Sequence, residues 1–394
     1  MKIRKLNDDI YFVGSIDWDR RIFDELIPLP DGTSYNSFFI KSGDKNVLID
    51  TVDPTKRHEL INNLKELNID KVDYIISHHA EQDHSGTIPD ILNIYKGAKV
   101  ITNEKGMELL ITHLHIDEDK FIVVKDLEEL KLGNKTFKFI FTPWVHWPET
   151  FVTYLIEDKI LFTCDFFGSH IATSSIFVDD YAKAEESAKR YYAEIMMPFR
   201  NIIIKNLEKI KDFDFKIIAP SHGYLYDKPE FILNLYNEWV SESVKNSLVI
   251  LYISMHGSTK NIVDFLTKRF VEEGINVKRF NLTNSDIGEI AMSLVDSASL
   301  VIATPTVLTG PHPLALYATY LTNILKPKTK FIGIVGSYGW GGQMPNIIKE
   351  TLKNIKAEYL GEVLIKGDPR EDDYRTLDDF VNKFVNKHKE LNLL

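Results

Sequence analysis

Histidines and carboxylates gather in one short segment, His79-Ala-Glu81-Gln-Asp83-His84, directly after the apolar residues 74–77. Imidazole nitrogens and carboxylate oxygens are metal ligands, and side chains at the carboxyl end of a strand can converge on one point. A single histidine-rich segment of this kind is more often hydrogen-bonded structure than a metal site. The segment alone therefore leaves both interpretations open.

Three further segments repeat the design, because each ends an apolar run on a side chain that can bind a metal. They are residues 139–145 before His146, residues 160–164 before Asp165, and residues 215–221 before His222. Four such segments are typical of the metallo-β-lactamase fold, in which loops at one edge of two packed sheets hold the metal. The set as a whole therefore predicts a metal site rather than isolated structural histidines.

The charge of the donor set bears on which metal binds. Glu81 stands where zinc hydrolases of this fold usually carry a histidine, and with Asp83 and Asp165 it brings three negative charges. This harder, more anionic set suits a metal pair that stays bound when oxidised, which favours iron over zinc. Affinity alone would rank divalent zinc above ferrous iron, so the metal supply also matters and the sequence leaves occupancy open.

The sequence pattern changes after residues 245–247. From there, the predicted buried strands alternate with amphipathic helices. Five strands are predicted, at residues 248–254, 277–281, 300–304, 331–336 and 357–365. The turn between the first of them and a helix at residues 259–273 is rich in groups that can hold a phosphate at a helix N-terminus. It consists of Ser254, Met255, His256, Gly257, Ser258 and Thr259. On its own, such a turn is equally well an ordinary helix cap.

The loops that follow two later strands are suited to contact the ring system of a flavin. They contain Thr304, Pro305 and Thr306 in one loop, and Ser337, Tyr338, Gly339, Trp340 and Gly341 in the other. The phosphate loop resembles that of flavodoxins and lacks the GxGxxG of dinucleotide binders, so FMN is favoured over NAD or FAD. Val307 and Leu308 depart from the residues common in the first ring loop, and ordinary βα turns are the alternative interpretation.

Length and composition predict how many domains carry these two sites. With 394 residues, 44% of them hydrophobic and 26% charged, the chain fits two globular domains and contains no apolar run long enough to cross a bilayer. We predict an α+β, metallo-β-lactamase-like αββα sandwich at residues 1–246. We predict a doubly wound, flavodoxin-like α/β domain with a five-stranded parallel sheet at residues 247–394. Short strands are expected in the first half at residues 10–13, 37–40, 47–50, 74–77 and 99–102, with a helix at 58–67.

Several classes of function are excluded by simple counts. Cys164 is the only cysteine, so the chain cannot form an internal disulfide, a rubredoxin-type iron site or a cysteine-ligated iron–sulfur cluster. The net charge of −10 argues against a nucleic-acid partner. The first residues lack the apolar stretch of an export signal, so a cytoplasmic protein that does not enter the membrane is expected.

The chain resembles flavodiiron proteins, which share the motif H-x-E-x-D-H followed by a His, an Asp and a His at similar spacings. The resemblance covers nearly the whole chain. The resemblance implies that His79, Glu81 and His146 bind one iron. It implies that Asp83, His84 and His222 bind the other, and that Asp165 bridges the two. Some members of the family turn the histidine at the position of His84 away from the metal, so its role stays open.

Four other side chains near the motif have a structural and a functional interpretation. His78 replaces the family's common Asn and should point to the opposite face of its strand from His79, which favours a structural role. His170 lies beyond the bridging aspartate and could supply a proton or a hydrogen bond, although an ordinary core or surface histidine is as good an interpretation. Trp144 and Trp147 are expected to provide apolar packing around the site.

The resemblance also implies an activity. Two ferrous ions and a reduced FMN hold the four electrons that convert O2 to two waters, so O2 reduction is expected first and reduction of NO to N2O second. The donor must be external, either rubredoxin or a reduced deazaflavin coenzyme, and a head-to-tail homodimer is implied, with a dimer of dimers as the larger alternative. A zinc metallohydrolase fused to a flavin domain, and an electron carrier with a degenerate metal domain, are the competing hypotheses.

Overall fold

The computed structural model describes residues 4–394 and separates into two compact units. The first unit runs to Tyr192 and includes Phe199–Val240, and the second contains Ala193–Pro198 and Ser241–Leu394. The domain bounds expected from the sequence, 1–246 and 247–394, stay a prediction beside this division. Within residues 4–394, no helix combines the length and the apolar character needed to span a bilayer.

The first unit is built mainly from short strands. In chain order they are β1 (Arg4–Lys5), β2 (Ile10–Phe12), β3 (Ser15–Asp17), β4 (Ile22–Phe23), β5 (Ile27–Pro28), β6 (Thr33–Tyr35), β7 (Phe38–Ser42), β8 (Lys45–Ile49), β9 (Tyr74–Ile76), β10 (Lys99–Thr102), β11 (Phe121–Val123), β12 (Glu129–Leu132), β13 (Lys135–Phe141), β14 (Phe151–Leu155), β15 (Ile160–Cys164) and β16 (Ile217–Pro220). The five strands expected in the first half correspond to β2, β7, β8, β9 and β10. The ends of β10 are as predicted, and no end of the other four is shifted by more than two residues.

Two larger sheets form from these strands. One has the order β1-β2-β7-β8-β9-β10-β11, and the other has the order β12-β13-β14-β15-β16. Apolar side chains of both sheets, among them Ile76, Phe139 and Phe162, pack into one buried cluster between them. Because alternate residues of a strand point to opposite faces, the other face of the first sheet is free to pack on helices.

The helices of this unit are α1 (Arg57–Glu66), α2 (Gln82–Ser85), α3 (Ile88–Ile94), α4 (Glu104–Leu114), α5 (Tyr181–Tyr191), α6 (Arg200–Ile210) and α7 (Pro229–Val240). Leu60 of α1, Ile91 of α3 and Leu110 of α4 join a second buried cluster on the outer face of the first sheet. Asn103 begins α4 by accepting a hydrogen bond from the Gly106 amide. The layered αββα sandwich expected from the sequence is confirmed.

The second unit alternates strand and helix along the chain. Its elements are β17 (Lys245–Tyr252), α8 (Ser258–Glu272), β18 (Asn276–Asn281), α9 (Ile287–Leu294), β19 (Ser297–Val307), β20 (Gly310–Pro311), α10 (Pro313–Leu325), β21 (Phe331–Tyr338), α11 (Met344–Thr351), β22 (Glu358–Lys366) and α12 (Glu371–Glu390). Five strands lie parallel in the order β18-β17-β19-β21-β22, as in flavodoxin-type folds. The predicted five-stranded parallel sheet is confirmed.

Helices cover both faces of this parallel sheet, as a sheet with two apolar faces requires. Leu266 of α8 and Phe384 of α12 are buried on one face, and Leu294 of α9 and Ile348 of α11 are buried on the other. The carboxyl ends of β17, β19 and β21 lie next to one another, since these strands pair in parallel. The three loops expected to hold a flavin therefore meet at one edge of the sheet.

One feature of the second unit differs from the sequence prediction. Strand β19 continues to Val307, three residues beyond the predicted end, and turns back into β20. The two turn residues Leu308 and Thr309 both have positive φ, 48° and 70°. Asn and Gly are the residues usually found in such a two-residue turn, so the sequence gives no signal for this hairpin.

Candidate metal centre and flavin site

Four loops at one edge of the β-sandwich carry the predicted metal ligands. The loop after β9 holds His79 and Glu81 and leads into the single turn α2, which contains Asp83 and His84. The other loops follow β13, β15 and β16 and carry the remaining three ligands, His146, Asp165 and His222. Five of the seven side chains are buried, and only Glu81 and His146 keep partial exposure, with 15% and 17% of their side-chain surface accessible.

A first group of donor atoms forms around Glu81 and one oxygen of Asp165. Glu81 Oε2 lies 3.0 Å from His79 Nε2 and 3.2 Å from His146 Nε2. Asp165 Oδ2 lies 3.5 Å from His79 Nε2 and 3.4 Å from His146 Nε2. These four side chains thus turn their donor atoms toward one common point.

A second group forms around the other oxygen of Asp165. Its Oδ1 lies 3.0 Å from His84 Nε2 and 3.4 Å from His222 Nε2. Asp83 closes the group, with Oδ1 3.3 Å from His84 Nε2 and Oδ2 3.2 Å from His222 Nε2. The two oxygens of Asp165 therefore face two different donor groups, which is the geometry of a carboxylate that bridges two metal ions.

The donor set fits a pair of metal ions. Metal bonds of about 2.0–2.1 Å place neighbouring ligand atoms of an octahedral or tetrahedral site roughly 2.8–3.4 Å apart, which is close to the separations in both groups. Both carboxylate oxygens of Asp83, His84 Nε2 and Asp165 Oδ2 are buried without a hydrogen-bond partner in residues 4–394. Buried polar atoms without partners are costly, and a bound cation would satisfy all four.

The pKa values of the ligand histidines also indicate two points at which positive charge is favoured. Burial opposes a charge on the rings, but hydrogen bonds with Glu149 and Glu81 outweigh it and raise the pKa of His79 to about 10. For His222, burial is likewise outweighed by Asp165 and Asp83, and the pKa rises to about 10. The carboxylates therefore gather positive charge at the two points on which the donor atoms converge.

Three contacts around the ligands were not expected from the sequence. Glu149 Oε1 lies 2.7 Å from His79 Nδ1, and Ser34 O lies 2.6 Å from His222 Nδ1. Tyr191 donates a hydrogen bond of 2.8 Å to Asp165 Oδ1. Each contact joins residues that are far apart in the sequence, so no local motif could reveal it. Such partners fix which ring nitrogen faces the metal and orient the ligands.

His78 has the structural role that the strand alternation predicts. Its Nδ1 lies 2.7 Å from Asp50 Oδ2, its Nε2 lies 2.7 Å from Thr153 Oγ1, and its amide donates to Asp50 Oδ1. The ring is fully buried and makes all its contacts away from the two donor groups. His78 thus ties the loop after β9 to the second sheet of the sandwich.

His170 is buried beside the second donor group. Its Nδ1 lies 2.9 Å from Thr33 Oγ1, and its ring centroid lies 4.9 Å from that of His222. Burial, followed by the nearby charge of His222, lowers the pKa of His170 well below its usual range. A neutral ring at neutral pH favours the hydrogen-bonding and packing interpretation over proton donation.

The two tryptophans beside His146 behave differently. Trp147 packs edge-on against His79, with ring centroids 4.9 Å apart, as expected for apolar packing around the site. Trp144 leaves 47% of its surface exposed, so the packing prediction is wrong for this residue. Its positive φ of 61° turns the chain at this point.

The three loops of the second unit enclose a cavity of about 190 Å³. It is lined by Ser254, Met255, His256, Ser258, Thr259, Pro305, Thr306, Ser337, Tyr338, Gly339 and Gly367. Ten of these eleven residues belong to the predicted flavin set, and Gly367, after β22, is the addition. The cavity is smaller than most ligand pockets, which favours a ligand that lies partly between exposed loops.

The polar groups at this cavity fit a phosphate ester. Helix α8 begins at Ser258, and its N-cap residue Gly257 has no side chain to cap it. Ser254 Oγ accepts a hydrogen bond of 3.2 Å from the Lys260 amide. The amides of Ser258 and Thr259 lie at the positive end of the helix dipole, where a phosphate is favoured. Gly257, with φ of 98°, makes the turn that aims them. Thr306 also lines the cavity, and its hydroxyl is buried and has no partner among the described residues.

Four predicted flavin contacts do not line the cavity. Gly257 contributes the backbone turn, and Thr304 is fully buried, where its hydroxyl bonds with Pro305 O and the His312 amide. Trp340, with 69% of its surface exposed, and Gly341 lie farther along the loop after β21. Because side chains alternate along a strand, Thr304 in β19 points to the opposite face from Pro305, which lines the cavity.

The two units match two family models. Residues 33–223 match the ODP family beta lactamase model, and residues 250–377 match the flavodoxin model. A two-centre donor cluster on a lactamase-type sandwich, joined to a flavodoxin-type sheet, defines a class of two-domain flavometalloproteins.

Relatives that match over nearly their full length identify the family. A nitric oxide reductase from Moorella thermoacetica is 35% identical over 91% of both chains. The structure of rubredoxin oxygen:oxidoreductase from Desulfovibrio gigas aligns with a TM-score of 0.95 and 29% identity over 99% of both chains. The flavodiiron protein from Giardia intestinalis aligns with a TM-score of 0.93 and 27% identity, covering 100% of this chain and 99% of that one. The chain belongs to the flavodiiron protein family.

Proposed function

We propose that this protein is an FMN- and di-iron-dependent oxidoreductase that reduces O2 to water and, as a second activity, NO to N2O. The observation that carries the proposal is the division of seven donor side chains into two groups that share Asp165, one oxygen to each group. A second observation, the flavin-type cavity in the other unit, supplies a place for the redox cofactor that such a centre needs.

The metal ligands in this proposal are those of the sequence prediction. His79, Glu81 and His146 hold one iron, and Asp83, His84 and His222 hold the other. Asp165 bridges them. In the other unit, the loops at residues 254–259, 304–306 and 337–341 hold FMN, with the first turn of α8 at its phosphate. The functional division of the chain follows the domain bounds 1–246 and 247–394.

When bound, the two irons and FMN supply the four electrons that O2 needs, or the two that a pair of NO molecules needs. The protein holds the reacting molecule at the partly exposed side of the centre, where Glu81 and His146 lie. Glu149, Ser34 and Tyr191 hold the ligands in place, and His170 orients His222 through its packing. The buried remainder of the centre excludes bulk water.

The names of the relatives support both substrates and one donor. The Moorella relative is named a nitric oxide reductase, and the Desulfovibrio structure is named for rubredoxin and oxygen. The 394 residues contain one cysteine, Cys164, and an external donor is part of the proposal. Rubredoxin is the first candidate, a reduced deazaflavin coenzyme is the second, and the cytoplasmic location stays a prediction.

A homodimer is part of the proposal, arranged head to tail so that FMN of one subunit lies near the irons of the other. Large apolar side chains are exposed in both units. Trp18, Leu26 and Trp144 in the first unit leave 50%, 41% and 47% of their surface accessible. Leu308 and Trp340 in the second unit leave 86% and 69%. We propose that these side chains contribute to the surface through which the two subunits associate.

The direct test is turnover of the anaerobically reduced, metal-quantified protein, with O2 and NO offered in separate experiments. We expect O2 to be consumed to water without accumulating peroxide, and NO to give N2O at a lower rate. Asp165→Ala should abolish both reactions while FMN stays bound, because the flavin site lies in the other unit. Abundant peroxide, or full activity of the variant, would contradict the proposal.

A zinc hydrolase fused to a flavin domain is the weaker alternative. It would not need Glu81 in the donor set, and the relatives named above are redox enzymes. Two tightly bound zinc ions together with hydrolysis of a thioester or lactam would support it. An electron carrier with a degenerate metal domain is weaker still, since all seven ligand positions are filled.

A further inference from the structure

The two donor groups differ in the hydrogen-bond partner of a histidine ligand, at the ring nitrogen that faces away from the metal position. In the first donor group, the Nδ1 atom of His79 faces a carboxylate, Glu149 Oε1, at 2.7 Å. The same oxygen accepts a hydrogen bond of 2.9 Å from the Ala80 amide, which fixes its position. Glu149 is 1% exposed, so its charge is screened little by solvent.

In the second donor group, the corresponding partner is neutral. The Nδ1 atom of His222 faces the backbone carbonyl of Ser34 at 2.6 Å. A carbonyl orients the ring but carries no net charge, so it donates less electron density through the imidazole than a carboxylate does.

The two oxygens of the shared carboxylate, Asp165, also differ in their hydrogen bonds. Tyr191 donates its hydroxyl hydrogen to Asp165 Oδ1, the oxygen that faces the second group, and Tyr191 is 1% exposed. The other oxygen, Oδ2, faces the first group and accepts no hydrogen bond in residues 4–394. A hydrogen bond draws negative charge away from the oxygen that accepts it, so the second group receives less of the shared charge.

We propose that Glu149 is a positioning residue that makes the metal held by His79, Glu81 and His146 the more easily oxidised of the pair. The inference rests on the proposed di-iron function and deepens it. When a one-electron oxidant in the titration accepts the first electron from the reduced pair, that electron comes from this iron, which passes from ferrous to ferric while the oxidant is reduced. The iron held by Asp83, His84 and His222 stays ferrous in the half-oxidised protein.

The physical cause is the added negative charge behind His79. When the iron becomes ferric, the hydrogen between Nδ1 and Glu149 Oε1 moves toward the carboxylate, and the ring gains imidazolate character. The shift stabilises ferric iron more than ferrous iron, and no proton leaves the protein, because the hydrogen stays between the two atoms. Removing the charge of Glu149 should therefore weaken ferric binding at this position more than ferrous binding.

The test is an anaerobic redox titration of the iron-loaded, FMN-containing protein, followed by electron paramagnetic resonance of the half-oxidised state. Glu149→Gln keeps a hydrogen-bond acceptor at the same place but removes the charge. If ferric binding is weakened about tenfold relative to ferrous binding, the lower of the two iron potentials rises by about 59 mV. The two potentials then approach each other, and the largest fraction of half-oxidised protein falls.

Two variants separate the charge from a loss of structure. Glu149→Asp restores the carboxylate and should return the lower potential toward that of the natural protein. Asp50→Asn breaks a similar buried contact, since Asp50 Oδ2 lies 2.7 Å from Nδ1 of His78, a histidine outside both donor groups. This variant should lose stability but leave both iron potentials unchanged.

The outcomes distinguish this inference from the function on which it rests. A natural protein that binds no iron pair would overturn the proposed function before the potentials are measured. An iron-loaded natural protein, together with an unchanged lower potential in Glu149→Gln, would overturn the role of Glu149 alone. An equal shift in Asp50→Asn would also overturn it, because the effect would then follow from disturbed packing. A rise in the lower potential confined to Glu149→Gln supports it.

Discussion

The Nε2 atom of His84 lies 3.0 Å from Oδ1 of Asp165, so this ring points into the centre. The family resemblance left its orientation open. Here the nitrogen is buried and has no hydrogen-bond partner among residues 4–394, while its neighbour Asp83 has both oxygens buried and without partners. Three donor side chains, in addition to the shared aspartate, are therefore available to the second metal as well as to the first.

His84→Ala should weaken one of the two metal positions selectively. The second group would lose one of its three unshared ligands, whereas the first group would keep all of its own. We expect the affinity at that position to fall by at least about 10- to 100-fold, the range found when only an outer partner of a ligand is lost. After dialysis against a chelator, iron per chain should fall from two toward one.

His78→Gln is the matched control for this measurement, since His78 is a buried neighbour that contacts Asp50 and Thr153 instead of the donor groups. This variant should keep both irons. Two retained irons in His84→Ala would show that this ring is not a ligand in solution.

Metal binding should release protons and strengthen as the pH rises. In the metal-free protein, burial is outweighed by the neighbouring carboxylates, which raise the pKa of His79 and His222 to about 10 and that of His84 and His146 to about 9. These rings are protonated at pH 7 and a metal ion must displace their protons, so we expect about four protons released per chain. Calorimetry in two buffers of different ionisation enthalpy measures the number.

The same shifts fix how the stability of the metal-free protein depends on pH. Because the folded pKa values lie above the unfolded value of about 6.5, their contribution is complete below that pH and is lost as the pH rises toward 9 or 10. The unfolding temperature of the metal-free protein should therefore fall over this range. A proton count near zero at pH 7 would contradict both expectations.

Much of the metal centre could be predicted because its ligands follow a local rule. Each of the four loops comes directly after an apolar strand, and strand ends at one edge of a sandwich must lie close together. Glu149 obeys no such rule, since its contact with His79 spans 70 residues of sequence. Tyr191 reaches Asp165 from the end of α5, and Ser34 contributes only a backbone oxygen. Contacts of these kinds depend on the packed fold and leave no pattern in the sequence.

In the flavodoxin-like unit, too, local sequence patterns predicted some features and missed others. Alternation of strand and helix predicted the parallel sheet, and glycine-rich or hydroxyl-rich strand ends predicted most residues of the cavity. The hairpin at Leu308 and Thr309 was missed because neither residue favours positive φ. Gly367 was missed because it lies after the last strand, in a loop with no other phosphate-binding character.

Thr306→Val should weaken FMN binding without disturbing the fold. The buried hydroxyl of Thr306 lacks a protein partner among residues 4–394 and lies on the cavity wall, so the ligand is its natural partner. Loss of one hydrogen bond costs about 0.5–1.5 kcal/mol, which at the upper end is roughly a tenfold weaker affinity. Titration of the FMN-free protein with FMN, followed by quenching of flavin fluorescence, gives the dissociation constant.

Thr329→Val is a matched control for this effect. The hydroxyl of Thr329 is also buried without a partner in the described chain, but Thr329 does not line the cavity. This second variant should bind FMN as tightly as the natural protein. Equal weakening in both variants would assign the effect to general packing, and unchanged affinity in Thr306→Val would remove this residue from the site.

His388→Gln should flatten the acid side of the stability profile of the flavodoxin-like unit. His388 is fully buried in α12, with Nδ1 2.8 Å from Asn246 Oδ1 and Nε2 2.7 Å from Ser299 Oγ. A neutral ring satisfies both contacts by donating from Nδ1 and accepting at Nε2. Burial disfavours the charged form and lowers the pKa of His388 to about 4.

Because the folded pKa lies below the unfolded value of about 6.5, the stability contributed by this group is present above pH 6.5 and is lost as the pH falls toward 4. Urea unfolding between pH 7 and pH 4, followed through the release of FMN, should show a falling midpoint in the natural protein. Glutamine does not titrate, so His388→Gln should start from a lower midpoint at pH 7 and lose less on acidification. Parallel profiles for the two proteins would show that other groups cause the acid sensitivity, since the ring at position 388 would then contribute equally at both ends of the pH range.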